Sequence, residues 1–272
     1  MAYPTVSAAY GYKPVNLIGG QVFAGSTREY PIAYNYGTAI YNGDPVVLSS
    51  GYAVIATVPV STTNTTVGVF LGCYYTNPTT KQRLYSQYYP GNVTAGDITA
   101  IVSDDPDIVI KCAVTAAAGS TTIASGSSLL VGQNMAGNTL TGSASTGNGA
   151  GGVVAASATT SGGGFRVLGL VPDTQIETAG TYVSGTGTTS LVVSGLPVGT
   201  VLPIGTDVFN LINGQLQFTG SILTAASTVT TTGSTTLTVT ASTATVSGSV
   251  VLIQSPEVLV KWNFGAHRYY VA

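Results

Sequence analysis

Charge is what this chain has least of. Only 7% of its 272 residues are Asp, Glu, Lys or Arg, against about 25% in an ordinary soluble domain, so its solubility has to come from hydroxyl and amide groups. The eight Lys and Arg are scattered between Lys13 and Arg268 with no run. Tracking a phosphate backbone requires clustered cations, so no nucleic-acid partner is expected. Disorder couples low hydrophobicity to high net charge, whereas this chain is 44% hydrophobic with 16 Tyr and a net charge of -2. It should fold. Long apolar runs are missing as well: no window reaches the ~18 residues of a membrane span, and the opening MAYPTVSAAYGYKPV lacks the basic start and apolar run of a secretory leader. Neither a membrane partner nor export by the general secretory route is expected.

Reactive groups are equally sparse. Cys73 and Cys112 are too few for a disulfide framework or a metal cluster, and each stands among β-branched and aromatic neighbours (FLGCYY, IVIKCAV), the setting of a buried free thiol. The single histidine, His267 in WNFGAHRYY, has no acidic residue nearer in sequence than Glu257. It reads as a packing or interface residue rather than a general base. No GxSxG, HExxH or Walker loop is present. Asp104, Asp105 and Asp107 in SDDPDIV could offer oxygen ligands to calcium, but they lack the EF-hand spacing and glycine, and a solvated turn before a strand at Ile108–Ile110 is the plainer reading. LIGGQVFAGS has no Lys-Ser/Thr pair and lies between Pro14 and Pro31; its glycines suit bends in an extended arm better than a phosphate cradle. The chain therefore reads as a non-enzyme without a cofactor or a metal.

What is there is β-forming. Helical periodicity is nearly absent and alternation with a period of two recurs. FNLINGQLQF predicts a hairpin, with Asn213-Gly214 taking the positive φ angles of a type I′ turn and Leu211, Leu216 and Phe218 forming apolar faces. A turn at Asn42–Pro45 leads into a strand Val46–Leu48, a tight turn Ser49–Gly51 and a strand Tyr52–Val58. Further strands are expected at Val67–Tyr75, Ile98–Val102, Ile108–Val114, Phe165–Val171, Leu191–Val193, Thr235–Thr240, Val250–Ile253 and Val258–Phe264. The fold class that follows is all-β, a small barrel or sandwich framework.

Charge also divides the chain. Cys112 to Phe165 has no charged residue, and Thr178 to Pro256 has only Asp207. Within the first neutral stretch, Gly142 to Gly152 (GSASTGNGAGG) reads as a loop or flexible linker. In the second, 17 of the 30 residues from Ser221 to Val250 are Ser or Thr, and the alternation in TTLTVTAS favours half-exposed strands over disorder. Three parts are expected: a framework over 1–178 with an extended N-terminal arm, an inserted, outward-facing Ser/Thr-rich β module over 179–254, and a strand over 255–272 returning to the framework. Tyr belongs almost wholly to the framework, Tyr182 being the one in the insert. Tyr offers broad contact area at little entropic cost, which suits either protein interfaces or ordinary strand packing.

The segment NLIGGQVFAGSTR (Asn16 to Arg28) resembles the opening of structural proteins encoded near the major capsid gene of podovirus-type tailed phages. GDPVVLSSGYAVIATVPV (Gly43 to Val60), VGVFLGC (Val67 to Cys73), RVLGLVP (Arg166 to Pro172) and EVLVKWNFGAH (Glu257 to His267) are similar to segments of head decoration, or capsid cement, proteins. The resemblance covers about two-thirds of the chain and leaves out the insert. It implies a small β-barrel on the outer surface of a virion, made in the host cytoplasm, that clamps neighbouring major capsid protein subunits and assembles with itself, a homotrimer being the first expectation. It brings no catalytic residues. The candidate capsid interface is Tyr10, Tyr12, Phe23, Arg28, Tyr30, Tyr34, Tyr36, Trp262, His267 and Tyr269. The alternatives are a tail or fibre component and a bacterial surface adhesin-like β protein.

Overall fold

A computed structural model describes residues 6–56, 65–157, 162–185, 188–240 and 248–270. Among them there is no α-helix, only strands and four single turns of 3-10 helix. Chains this rich in Gly and β-branched residues satisfy their backbone polar groups more readily in ladders than in helices. The protein is all-β. It divides into two compact units: a framework of Ala8–Thr122, Gly132–Leu168 and Val258–Ala272, and a second unit of Met1–Ser7, Ile123–Val131 and Gly169–Glu257.

One framework sheet runs in the order Arg28–Pro31, Thr99–Ser103, Thr66–Thr76, Pro45–Ser49, Tyr52–Ile55, with Arg83–Ser86 pairing on the far half of the long strand Thr66–Thr76. Two of its turns follow from residues that tolerate positive φ: Asn42-Gly43 before Pro45, and Ser50-Gly51, with φ of 51° and 86°, between Pro45–Ser49 and Tyr52–Ile55. Gly68 is fixed by crowding, since a Cβ there would overlap the Ser103 carbonyl oxygen. Ile32, Ile40, Phe70, Tyr89, Ile98 and Val102 form the centre of this core. A second framework sheet is built on Ile108–Thr115, which pairs antiparallel with Lys13–Leu17 and, in parallel, with Gly152–Val154; Glu257–Trp262, Phe165–Leu170 and Asn134–Met135 continue it.

The second unit is a six-stranded antiparallel barrel in the order Gln215–Ile222, Asp207–Ile212, Ser249–Gln254, Ile176–Ser184, Ser190–Ser194, Ser234–Thr238. Its first and last strands meet at one end, through the Leu223–Val239 bridge and the N–H of Thr240 donating to the Ile222 carbonyl at 2.9 Å. The hairpin turn is as expected, with φ of 51° at Asn213 and 77° at Gly214. The core is aliphatic: Leu191, Val193, Leu202, Val208, Leu237 and Leu252.

The expected strands recur with shifted ends. The strand expected over Tyr52–Val58 ends at Ile55, and residues 57–64, Val58 among them, lie outside the described residues. Val258–Phe264 ends at Trp262, after which Asn263 to Ala266 form a turn closed by the Ala266 N–H donating to the Asn263 carbonyl. The second compact unit runs from Gly169 to Glu257 and takes in Ile123–Val131, wider bounds than 179–254, because the strand Ile176–Ser184 pairs from its first residue with Ser249–Gln254. The glycine-rich stretch Gly142–Gly152 is a loop but not a free linker. The N–H groups of Asn42 and Gly149 donate to the Gly147 and Asn42 carbonyls, and that of Gly11 to Gly151. A Cβ at Gly142, Gly149 or Gly152 would come within 2.5 Å of a neighbouring atom, so these glycines are there for close approach rather than for flexibility.

Candidate functional site

The framework gathers six of the ten expected interface residues into one column, but turns half of them inward. Lys13–Leu17 carries the chain across Ile108–Thr115 and puts Tyr12 beneath Phe165, ring centroids 4.7 Å apart and nearly parallel; Phe165 in turn stacks on Trp262 at 4.8 Å. Trp262 meets His267 at 5.7 Å and His267 meets Tyr269 at 5.2 Å. Tyr12, Phe165, Trp262 and His267 are fully buried. Tyr12, Trp262 and His267 are therefore core residues, a correction to their expected place at an interface. The Tyr12 hydroxyl donates to the Gly152 carbonyl at 2.5 Å and accepts from the Asn138 N–H at 3.0 Å. Burial holds its pKa well above the usual tyrosine range.

At its outer end the column reaches Asp104. This carboxylate is nearly buried, accepts from the Tyr30 and Tyr269 hydroxyls at 3.0 and 2.8 Å, and pairs with Arg28 Nε at 3.0 Å. Arg28 lies 5.8 Å from the centre of the Tyr269 ring. The sequence predicts a solvated acidic turn; Asp104 instead faces in, because it directly follows a strand whose outer neighbour supplies Arg28 and Tyr30. Asp105 caps the turn by accepting from the Asp107 N–H at 2.8 Å. No group of three or more His, Cys, Asp or Glu able to hold a metal occurs among the described residues.

His267 is held by the backbone on either side of it. Thr66 donates its N–H and its hydroxyl to the Ala266 carbonyl at 2.8 and 2.6 Å, and His267 Nδ1 accepts from the Tyr269 N–H at 3.3 Å. Burial lowers the histidine pKa below its ordinary value, although the Val67 backbone and Asp104, Asp105 and Asp107 favour the charged form.

A second buried hub has no counterpart among the residues singled out from the sequence. Asp44 in the Asn-Gly-Asp-Pro turn is wholly buried; its Oδ2 accepts from the Tyr41 N–H at 2.8 Å, and its Oδ1 has no hydrogen-bond partner among the described residues. Burial pushes its pKa up to about 7, against the opposing pull of the Tyr41 N–H and of Lys13. The Lys13 ammonium donates to Asn42 Oδ1 at 2.5 Å and Asn148 Oδ1 at 3.0 Å, and its own pKa is lowered by burial. Nothing in the local sequence announces this, because Asn148 arrives from a glycine-rich loop more than a hundred residues away.

The remaining expected residues lie apart. Tyr36 stacks on Tyr89 at 6.1 Å in the core of the first sheet, and Tyr10 and Phe23 are half-buried. Tyr34 is 65% exposed and lines a cleft with Tyr52, Ile32, Ile98 and Asp97. Beside it the same sheet presents residues that sequence reasoning does not single out: Tyr74 and its cross-strand partner Tyr85, 67% exposed, with the Arg83 guanidinium 4.0 Å over the Tyr74 ring and the Tyr74 hydroxyl donating to Glu29 at 2.7 Å. Asp97 fixes the end of this face by accepting from the Thr76 N–H and hydroxyl, which lowers its pKa. No family model, curated protein or solved structure matches the chain. The site must speak for itself. It brings together tyrosine rings, an arginine stacked on two of them and fixed carboxylates at the rim.

Proposed function

We propose that the protein is a non-enzymatic virion structural protein that decorates a phage capsid and stabilises it by bridging major capsid protein subunits, together with copies of itself. The observation that carries this reading is the tyrosine- and arginine-bearing surface of the framework, where Tyr34, Tyr52, Tyr74, Arg83 and Tyr85 lie in and beside one sheet. Tyr and Arg are the side chains most enriched where proteins meet, because they bury large areas at small entropic cost. The segment that carries the resemblance to phage structural proteins supports it further. Residues 18–27 form an exposed excursion between the strands Lys13–Leu17 and Arg28–Pro31, with Val22 77% exposed. An apolar residue displayed so openly on a backbone bent by Gly19 and Gly20 is suited to an arm that a partner covers. On a repeating shell many weak contacts of this kind add up through multivalency.

Co-sedimentation of the full-length protein with undecorated, expanded capsids tests the reading. Binding is expected, and Tyr85→Ala together with Arg83→Ala should weaken it by at least about tenfold, the cost of losing one interface anchor of ~1.4 kcal/mol or more. Absence of binding by the wild-type chain overturns it.

A further inference from the structure

We infer that the framework cleft lined by Tyr34, Tyr52 and Asp97 receives an arginine side chain of the protein on which the framework docks. The inference rests on the contact role proposed above and gives that surface a partner chemistry.

The cleft has a volume of about 400 Å³ and forms where three bends of the framework meet. Pro31 ends the strand Arg28–Pro31, and the chain then turns through Asn35, at a φ of 55°, with the Tyr36 N–H donating to the Ala33 carbonyl. Tyr34 is left exposed on the outside of that bend. Ser50-Gly51 turns the hairpin of Pro45–Ser49 and Tyr52–Ile55, which puts Tyr52, also exposed, at the head of its strand. Gly96 and Asp97 lead into the strand Thr99–Ser103. Beneath them the Ile32 N–H donates to the Ile98 carbonyl at 2.9 Å, and the two buried isoleucines give the cleft an apolar floor.

Two things in this cleft lack a counterpart. Tyr34 and Tyr52 make no side-chain hydrogen bond or ring contact among the described residues, whereas Tyr36 and Tyr89 stack on each other and Tyr74 and Tyr85 share Arg83. The Asp97 carboxylate is held in place by the Thr76 N–H and hydroxyl at 3.0 and 2.6 Å, yet its Oδ1 accepts from that N–H alone and keeps acceptor capacity. No Lys or Arg is among the described residues that line the cleft.

An anion beside open aromatic rings calls for a cation, and the floor selects its kind. Calcium takes six or more oxygen ligands, and one carboxylate over isoleucine does not supply them. A guanidinium meets every part: its planar face lies on tyrosine rings, its N–H fork reaches a carboxylate, and its methylene stem covers apolar surface. A lysine ammonium, compact and strongly hydrated, gains less from the rings. The same sheet already shows this pairing within the chain, where the Arg83 guanidinium lies 4.0 Å over the Tyr74 ring and the Tyr74 hydroxyl donates to Glu29. The cleft repeats that arrangement with the cation left for a partner to bring.

The test uses the full-length protein without capsids, so that this inference and the proposed function can fail separately. Protein with isotopically labelled tyrosine is titrated with N-acetyl-arginine methylamide while NMR follows the ring signals of Tyr34 and Tyr52, assigned with Tyr34→Phe and Tyr52→Phe. Saturable shifts of both signals are expected, with a Kd of about 1–20 mM, the scale of one side chain binding without its neighbours. The citrulline analogue, which keeps the shape and loses the charge, should bind at least about fivefold more weakly, and the lysine analogue at least about twofold. Asp97→Asn and, separately, Tyr34→Ala should each weaken the arginine probe at least about threefold, while circular dichroism and the thermal midpoint stay those of the folded protein. A flat titration, equal affinity for arginine and citrulline, or shifts produced by glucose and not by arginine overturns the inference, even where the chain still binds capsids. Failure to bind capsids beside a saturable arginine titration refutes the capsid reading alone.

Discussion

The framework and the barrel are both built mainly of antiparallel β structure, yet they are held by different chemistry. The framework concentrates its stability in a few heavy residues, a stacked column from Tyr12 to Trp262 and two buried carboxylates, Asp44 and Asp104. The barrel spreads it over many small ones, a core of Leu and Val inside a wall of Thr and Ser. Its buried carboxylate Asp207 accepts from the Ser127 hydroxyl at 2.5 Å and from the Ser128 N–H and hydroxyl at 2.8 and 2.7 Å. Thus the only charged residue between Thr178 and Pro256 ties the remote segment Ile123–Val131 into the unit. Burial raises the Asp207 pKa against the pull of these three donors, so the contact positions the segment, and removing the acceptor would leave buried donors unpaired.

This contrast should appear most strongly on truncation. Trp262→Ala removes the middle of the aromatic column and should cost about 3–5 kcal/mol in denaturant unfolding. No single truncation of a barrel valine, such as Val193→Ala, should exceed about 3 kcal/mol, because each removes fewer buried atoms. Equal losses for the two would erase the distinction. Next in size is Asp207→Ala, expected to cost about 2–4 kcal/mol, since it strands the buried donors of Ser127 and Ser128. Asp207→Asn, which keeps acceptor capacity, should cost about half as much or less. A loss below about 0.5 kcal/mol for the alanine variant, the scale of an unremarkable surface change, would mean that the serines find other partners.

The pH dependence of the framework is read by its sign rather than its size. His267 is buried neutral with a lowered pKa, so the unfolded chain binds the extra proton, and stability should fall as pH drops below about 6.5, the unfolded histidine value. His267→Gln should flatten that fall. Asp44 acts in the opposite direction. Its folded pKa of about 7 lies above the unfolded carboxyl value, so the folded chain holds the proton, and the stability this contributes is lost as pH rises from about 4 to 7. Asp44→Asn should abolish that loss, leaving the variant's stability relative to wild type higher at pH 8 than at pH 4. Unfolding free energies measured across this range for wild type and both variants separate the two groups by sign.

What can be seen in the sequence depends on the kind of signal each feature leaves. The hairpin at Asn213-Gly214 and the strand pair around Ser50-Gly51 are legible because turn chemistry and alternation are local. Lys13–Leu17 is not, since Lys-Pro-Val-Asn-Leu shows no alternation and pairs through a bulge with a partner almost a hundred residues on. Ile176–Ser184 is hidden for a related reason: Thr, Ala and Gly carry no apolar beat, and its Gly180 is demanded by the crowding of Val193 and Leu196. The aromatic C-terminal stretch stands out in the sequence, but composition does not say which way a ring points. Tyr12 and Trp262 turn inward to stack on Phe165, while Tyr52 and Tyr85, in ordinary-looking strands, stay exposed. The Asp44 hub is beyond reach because Lys13 and Asn148 come to it from distant parts of the chain, leaving only the Tyr41 contact local.

The loop from Gly142 to Gly152 has a practical corollary. A string of Gly, Ser, Ala and Asn is what a protease needs in order to thread backbone through its active site, and it is where an engineer would first insert a tag. Here the main chain is already hydrogen-bonded to residues around Asn42 and pressed against the Tyr41 ring and the Asp44 carboxylate, with no room for a methyl group at several positions. Limited proteolysis should pass it by, and a library of alanine replacements should find it among the least tolerant stretches of the framework; the part that looks most like spacer behaves as a keystone.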